Sequence, residues 1–269
     1  MKKIMLFMLF IPLLVLWQCE GNNPTETSSG KGSIRMYLVD SPTSLDAIVI
    51  CVARVEVHKA GNDESPGSWS VINDSVRYFN LLELQNGASA VLGDTSLPAG
   101  LYTQIRLVLL DSNYVKGAGI QDSMKLTISS GLQTGLKLYH SFEIESGNLY
   151  ELYLDFNADK SLVISGNGGY ELKPTVRVSP VVTSGTISGI VLPKEAEPKI
   201  WTLVGEDTVS TDADPDGYFK LMAIPGGETY TVHITPKEGT NYEEKVIGDV
   251  KVWAQEDTYI GKITLIKNP

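Results

Sequence analysis

Residues 47–59 read AIVICVARVEVHK, and their alternation decides the fold. Val49, Cys51, Ala53, Val55 and Val57 fall on one face of an extended chain at period two. The opposite face is apolar at Ile48, Ile50 and Val52 and turns polar at Arg54, Glu56 and His58. The same period runs through Ser33–Val39, Leu101–Leu110, Met124–Ile128, Leu136–Ile144 and Leu149–Phe156. Turn residues separate these runs: Asp40-Ser41-Pro42, Pro98-Ala99-Gly100, Gly131, Ser146-Gly147-Asn148 and Gly166-Asn167-Gly168-Gly169. Short strands without helical stretches between them predict an all-β chain of sandwiches rather than βαβ units. One small helical exception is expected at Leu81–Gln85, between Asn80 and Gly87, with a second turn at Ala88–Leu92.

The stretch RVSPVVTSGTISGIV places Pro and Gly between two apolar strands, and each side of it is long enough for its own core. Two domains are expected, residues 32–182 and 183–269.

The N-terminus has Lys2 and Lys3, an apolar run from Ile4 to Trp17, and then Cys19. That run is too short for a bilayer core needing roughly 20 residues, so residues 1–18 read as an export signal. Leu16-Trp17-Gln18-Cys19 resembles a bacterial lipobox, with Gln18 where a small residue is usual. The resemblance implies lipidation of Cys19 and an anchor on the outer membrane of a bacterial envelope. Residues 19–31 are polar and Gly/Ser/Thr/Asn-rich, a flexible tether whose dozen residues span about 20 Å. The other cysteine, Cys51, reads as a small buried hydrophobe.

The formal charge is −10, and loss of Lys2 and Lys3 with the signal makes it −12. No basic cluster is present to neutralise phosphates, so nucleic acid is not an expected partner, and lipid rather than charge is expected to hold the protein to a membrane.

The runs LLELQNG (81–87), LPAGLYTQIRLVL (97–109), GLQTGLKL (131–138), LYLDFNADKSLV (152–163) and YELKPTVRV (170–178) resemble the bacterial lipoprotein domain of unknown function 4382. That resemblance implies an immunoglobulin-like or related sandwich and no assigned activity. SGTISGIV, TDADPDGYFKL and AIPGGETYTVHITP resemble the carboxypeptidase regulatory-like domain, a prealbumin-like sandwich, with one residue more than usual before Gly217. This group shares its fold with starch-binding-like modules, which implies carbohydrate binding by fold analogy only.

Candidate chemistry is sparse. Asp212, Asp214, Asp216 and Gly217 match the opening of a calcium loop, but the twelfth position holds Ala223 in place of the bidentate Glu. Pro215 and Asp216-Gly217 instead predict a tight hairpin, with weak calcium binding by the three aspartates as the alternative. Asp155, Asn157 and Asp159 form a second partial match and read as a turn. His140 and Glu143 fit an H-x-x-E zinc pair in spacing, yet three apart on a strand they face opposite ways, and His140 shares its face with Leu138, Phe142 and Ile144. No G-x-S-x-G elbow or Cys–His pair is present. No catalytic residue or required cofactor is therefore assigned.

What remains is binding by side chains on a rigid sandwich, through Trp69, Trp201 or Trp253. By strand parity, Trp201 with Leu203 and Trp253 beside Val250 and Val252 read as core. The expectation is a non-enzymatic binding or adhesion module of the cell envelope, with carbohydrate as the candidate ligand, or alternatively a scaffold that holds protein partners there.

Overall fold

The computed structural model describes residues 30–61, 68–117, 120–128, 135–166 and 168–268. The signal, Cys19 and nearly all of the tether lie outside the described residues, as do Gly131 and Asn167. No helix among the described residues is long and apolar enough to cross a membrane.

The chain is all-β. Its first part runs β1 (Lys31–Asp40), β2 (Ala47–Lys59), β3 (Trp69–Asn73), β4 (Arg77–Asn80), β5 (Ala90–Pro98), β6 (Gly100–Leu109), β7 (Asn113–Gly117), β8 (Ile120–Ile128), β9 (Leu136–Ile144), β10 (Leu149–Phe156), α1 (Ala158–Ser161), β11 (Leu162–Ile164), β12 (Tyr170–Leu172) and β13 (Val176–Pro180). Then follow β14 (Ser184–Leu192), β15 (Lys199–Val204), β16 (Asp207–Asp212), β17 (Tyr218–Pro225), β18 (Thr229–Thr235), β19 (Lys245–Lys251) and β20 (Asp257–Thr264).

A four-stranded sheet in the order β13-β10-β1-β5 packs on a nine-stranded one in the order β11-β12-β8-β7-β2-β6-β9, with β3 and β4 also paired to β2. In β1 the alternation Ile34, Met36, Leu38 gives three side chains with no exposure, and β10 answers with Leu152, Leu154 and Phe156. Apolar burial of this kind stabilises by about 25 cal/mol per Å². A second apolar cluster, with Ile187, Phe219, Val232 and Ile234 at its centre, lies between β17-β14-β20 and β16-β15-β18-β19. Each cluster is a sandwich core with its own pair of sheets.

The strand read at residues 47–59 forms, but its phase changes midway. Val52 pairs with Leu109 and Arg54 with Val108, so Ala53 is an extra residue in a β-bulge. Across that bulge the inward row passes from Ile48, Ile50 and Val52 to Val55 and Val57, which all belong to one core. Uninterrupted counting at period two had grouped Val55 and Val57 with Val49 and Cys51, and the structure corrects this. Cys51 is free and buried, as expected.

The polar end of the same strand is also buried, against expectation: Glu56 is 2% and His58 4% exposed. Glu56 accepts from Arg106 Nε at 2.6 Å and lies 3.2 Å from Arg54 Nη1. Arg106 lies 4.1 Å from the centre of the Trp69 ring, which also contacts the His58 ring at 5.0 Å. Burying Glu56 is tolerated because its charge is paired on both oxygens.

Two local expectations need correction. The helical turn is a short 3-10 segment, Leu81–Glu83, and the second expected turn at Ala88–Leu92 gives way to strand β5, which begins at Ala90 and pairs with β1. Pairing with β1 and burial of Leu92 and Leu97 in the first core, with a β-bulge at Leu92, override the local helical pattern.

The aspartate-rich turn is not a hairpin. β16 lies in one sheet of the second sandwich and β17 in the other, so residues 213–217 carry the chain across the core. The turn chemistry is as expected. Asp214 Oδ1 accepts from the backbone N–H of Asp216 at 2.8 Å and of Tyr218 at 2.9 Å, and Gly217 takes φ +81°. A Cβ on Gly217 would stand 2.3 Å from the Val191 carbonyl oxygen, so the crossing needs glycine for space as well as for φ.

Candidate functional site

Strands β15 and β18 bury one face completely, with Ile200, Thr202, Val232 and Ile234 at no exposure, and β16 adds almost fully buried Val209 and Thr211 beside them. Their other face carries the row Ser210, Trp201, His233 and Val246, because Trp201 pairs with both Ser210 and His233 and His233 pairs with Val246. The Trp201 indole lies flat on the His233 imidazole, 3.9 Å between ring centres at 9°. The indole N–H donates to Thr235 Oγ1 at 3.1 Å, and His233 Nδ1 lies 3.4 Å from Glu244 Oε1. Leu203, two residues along β15, is 52% exposed and Val246 50% exposed.

Trp201 does share parity with Leu203, but that row faces outward. The core reading of Trp201 is corrected by the alternate row, Ile200 and Thr202, which takes the interior.

Thr235 also lines a cleft of about 900 Å³ between the two sandwiches. The first sandwich contributes Pro42 to Ser44 and Asp159; the second contributes the segments around Lys194, Lys199, Asp212 and Lys237. Its charges are mostly paired: Lys194 with Asp216 at 2.7 Å, Lys199 with Asp159 at 3.7 Å, and Lys237 with Glu197. Burial pushes the Asp212 carboxyl above the usual carboxylate range, against the opposing charges of Lys199 and Lys237.

The three aspartates of the calcium alternative are thus separated by their duties. Asp214 holds the turn, Asp216 pairs with Lys194, and Asp212 sits beside Lys199, with its backbone N–H donating to Gln85 Oε1 at 3.4 Å. Among the described residues no three His, Cys, Asp or Glu side chains gather to hold a metal ion. In this turn the carboxylates of Asp214 and Asp216 already have partners.

At the second partial match, Asp155 is buried against Arg177, Asn157 caps α1 by accepting from Lys160 N at 2.9 Å, and Asp159 reaches Lys199. The turn expected there is a one-turn helix. His140 stands on the row of Leu138, Phe142 and Ile144, with its ring 6.3 Å from Phe142, while Glu143 is exposed on the other side of the strand. Burial lowers the His140 pKa below the ordinary imidazole value. Trp69 is 6% exposed, whereas Trp253 is 51% exposed under Lys251 Nζ at 4.3 Å from its ring centre. Val252 takes the core position beside it, with no exposure, so the core reading of Trp253 is corrected too.

The stack of His233 with Trp201 was not expected from the sequence. The available signal was parity in two strands, since both residues alternate with residues that belong to the core.

A family model described as "Domain of unknown function (DUF4382)" matches residues 31–174. No curated protein matches the chain. Among solved structures, a type II cohesin–X-dockerin complex from Acetivibrio cellulolyticus is 24% identical over 31% of this chain and 58% of that one, with a TM-score of 0.25. This chain therefore spans little more than half of that protein's length. The shaft pilin SpaA from Lactobacillus rhamnosus GG is 9% identical over 89% of this chain and 98% of that one, with a TM-score of 0.23. A streptococcal ancillary pilin is 11% identical over 90% of this chain and 64% of that one, with a TM-score of 0.22. Likeness at this level says nothing about what the chain binds.

Proposed function

The chain belongs to the DUF4382 family, and from that premise we propose that it is a non-enzymatic binding module of the bacterial cell envelope whose ligand is a glycan. The observation that carries this reading is the outward row of Trp201 on His233, which meets the inter-sandwich cleft at Thr235. A flat indole held by a stacked imidazole and a hydrogen bond offers the apolar face of a sugar ring a surface already fixed in place. The paired lysines and carboxylates of the adjoining cleft supply donors and acceptors for hydroxyl groups. A protein partner is the second reading, favoured by Leu203 and Val246, which extend the same row with aliphatic surface.

The two separate apolar clusters support a domain boundary between residues 182 and 183, and we assign residues 183–269 to the carboxypeptidase regulatory-like group on the motifs quoted above. Lys2, Lys3, the apolar run and Cys19 support a lipid anchor. Palmitate label on the wild type and none on Cys19→Ala is expected; equal label in both overturns the anchor.

The glycan reading is tested on an array with the tagged mature chain, in calcium and in chelator, beside Trp201→Ala. Glycan signal lost in Trp201→Ala is expected. Signal that survives the substitution, or no signal for the wild type under either condition, overturns the reading; the latter result directs attention to protein partners.

A further inference from the structure

Where the two sandwiches meet there is a small cavity of about 10 Å³, room for one water-sized occupant. The first sandwich lines it with Asp40, Gln85, Asn86 and Asp155, and the second with Ser210 and Thr211, among others. Two acceptor atoms on this lining are buried and find no protein donor, Asp40 Oδ2 and Asn86 Oδ1.

Asp40 is held firmly. It ends β1, is 6% exposed, and its Oδ1 accepts from the Ala158 backbone N–H at 3.0 Å, which leaves Oδ2 for the cavity. Asn86 is fixed by its left-handed backbone, φ +54°, and by Nδ2 donating to the Tyr218 carbonyl at 3.3 Å, so the amide oxygen is the atom left over.

Lys220 lines the same cavity, and it and Arg177 each have a carboxylate partner. Arg177 Nη2 lies 2.6 Å from Asp155 Oδ2, and Lys220 Nζ lies 3.3 Å from Asp257 Oδ1. A buried carboxylate without a counter-charge is costly. A water molecule would satisfy its hydrogen bonding but not its charge.

We propose that Asp40 Oδ2 and Asn86 Oδ1 bind a single dehydrated hard cation of sodium or calcium size at the seam between the two sandwiches. All the candidate ligand atoms are oxygens, the chemistry that suits such ions. Ser210, on the face of β16 turned away from the second sandwich's core, lines the same cavity, so an ion held there lies against both sandwiches. The competing state is a protonated Asp40, favoured because burial raises its pKa well above the usual carboxylate range.

The full mature chain is tested by thermal unfolding and equilibrium dialysis at constant ionic strength, with calcium, with sodium, and with choline plus chelator. One ion bound per chain is expected, with Tm raised by roughly 5–10 °C at a cation concentration a hundred times Kd. Asp40→Asn should abolish both effects. Asn86→Gly removes the amide oxygen while keeping a backbone that glycine adopts freely, and should weaken binding at least tenfold in a chain that still folds. The proposal is overturned if no cation binds or shifts Tm, if either variant keeps the full response, or if stability is indifferent to cations and rises only on acidification, as a protonated Asp40 requires.

Discussion

Replacing Arg177 by methionine probes how the first sandwich tolerates charge in its interior. Arg177 and Asp155 are register partners on β13 and β10, joined at 2.6 Å with side chains 16% and 9% exposed. Methionine keeps much of the aliphatic stem and removes the guanidinium, stranding the carboxylate. Breaking a buried pair from one side costs about 3–5 kcal/mol, while replacing both partners by apolar residues is often close to neutral. Urea unfolding of the wild type, Arg177→Met, Asp155→Leu and the double variant should therefore show a coupling of several kcal/mol, with the double variant more stable than Arg177→Met. The pH dependence carries a second reading of the same charge. Burial raises the Asp155 carboxyl above its usual value with Arg177 opposing, so without Arg177 it rises further. A carboxyl raised on folding costs stability fully above its folded pKa, and the cost fades as pH falls towards the unfolded value of about 3.9. The Arg177→Met deficit should shrink between pH 7 and pH 5. A deficit below about 1 kcal/mol, or strict additivity in the cycle, would refute the reasoning, because such a pair would be behaving as a solvent-exposed one.

Three further substitutions test the second sandwich. Gly217→Ala and Gly205→Ala both place a side chain at positive φ, +81° and +62°, but only at Gly217 does the new Cβ meet backbone, 2.3 Å from Val191 O. Both should lose about 1–2 kcal/mol for conformation, and Gly217→Ala about 1–3 kcal/mol more for overlap; equal urea midpoints would contradict the reading of the crossing. At Asp257, burial pushes the carboxyl up, but hydrogen bonds from Ser188 Oγ at 2.6 Å and Thr186 Oγ1, with Lys220 nearby, outweigh it and hold the pKa below the usual value. Stability from a depressed carboxyl is full above the unfolded pKa of about 3.9 and is lost as pH falls through the folded one. The wild type should thus lose stability between pH 4 and pH 2 more steeply than Asp257→Asn, and matching acid profiles would count against this network.

The sheets were largely legible in sequence because period-two burial is a local property, and β9 and β10 occupy the expected residues, Leu136–Ile144 and Leu149–Phe156. What escaped notice depended on partners. The bulge at Ala53 reverses the inward row of β2, and its trace in sequence is a slip from even-numbered Ile48, Ile50 and Val52 to odd-numbered Val55 and Val57. Glu56 and His58 look solvent-facing until Arg106 and Trp69 arrive from other strands. The Trp201–His233 stack likewise requires the register of β15 on β18, which neither strand's own sequence states.

Residues 211–217 make the physical reason plain. A proline, a glycine at positive φ and an aspartate able to accept from backbone N–H groups define a tight turn wherever they occur, so the turn was predictable. Which sheet each flanking strand joins depends on where Phe219 and Val209 bury, and both enter the same core from opposite sheets. Aspartate is ambiguous for a related reason. Its carboxylate serves equally as a turn acceptor, an ion-pair partner or a metal ligand, and spacing along the chain does not separate these. In this turn Asp214 and Asp216 are occupied by backbone and lysine. Among the described residues, the buried carboxylate oxygen that lacks a donor is Asp40 Oδ2, in a stretch with no metal-loop pattern, and residues of both sandwiches line the cavity beside it.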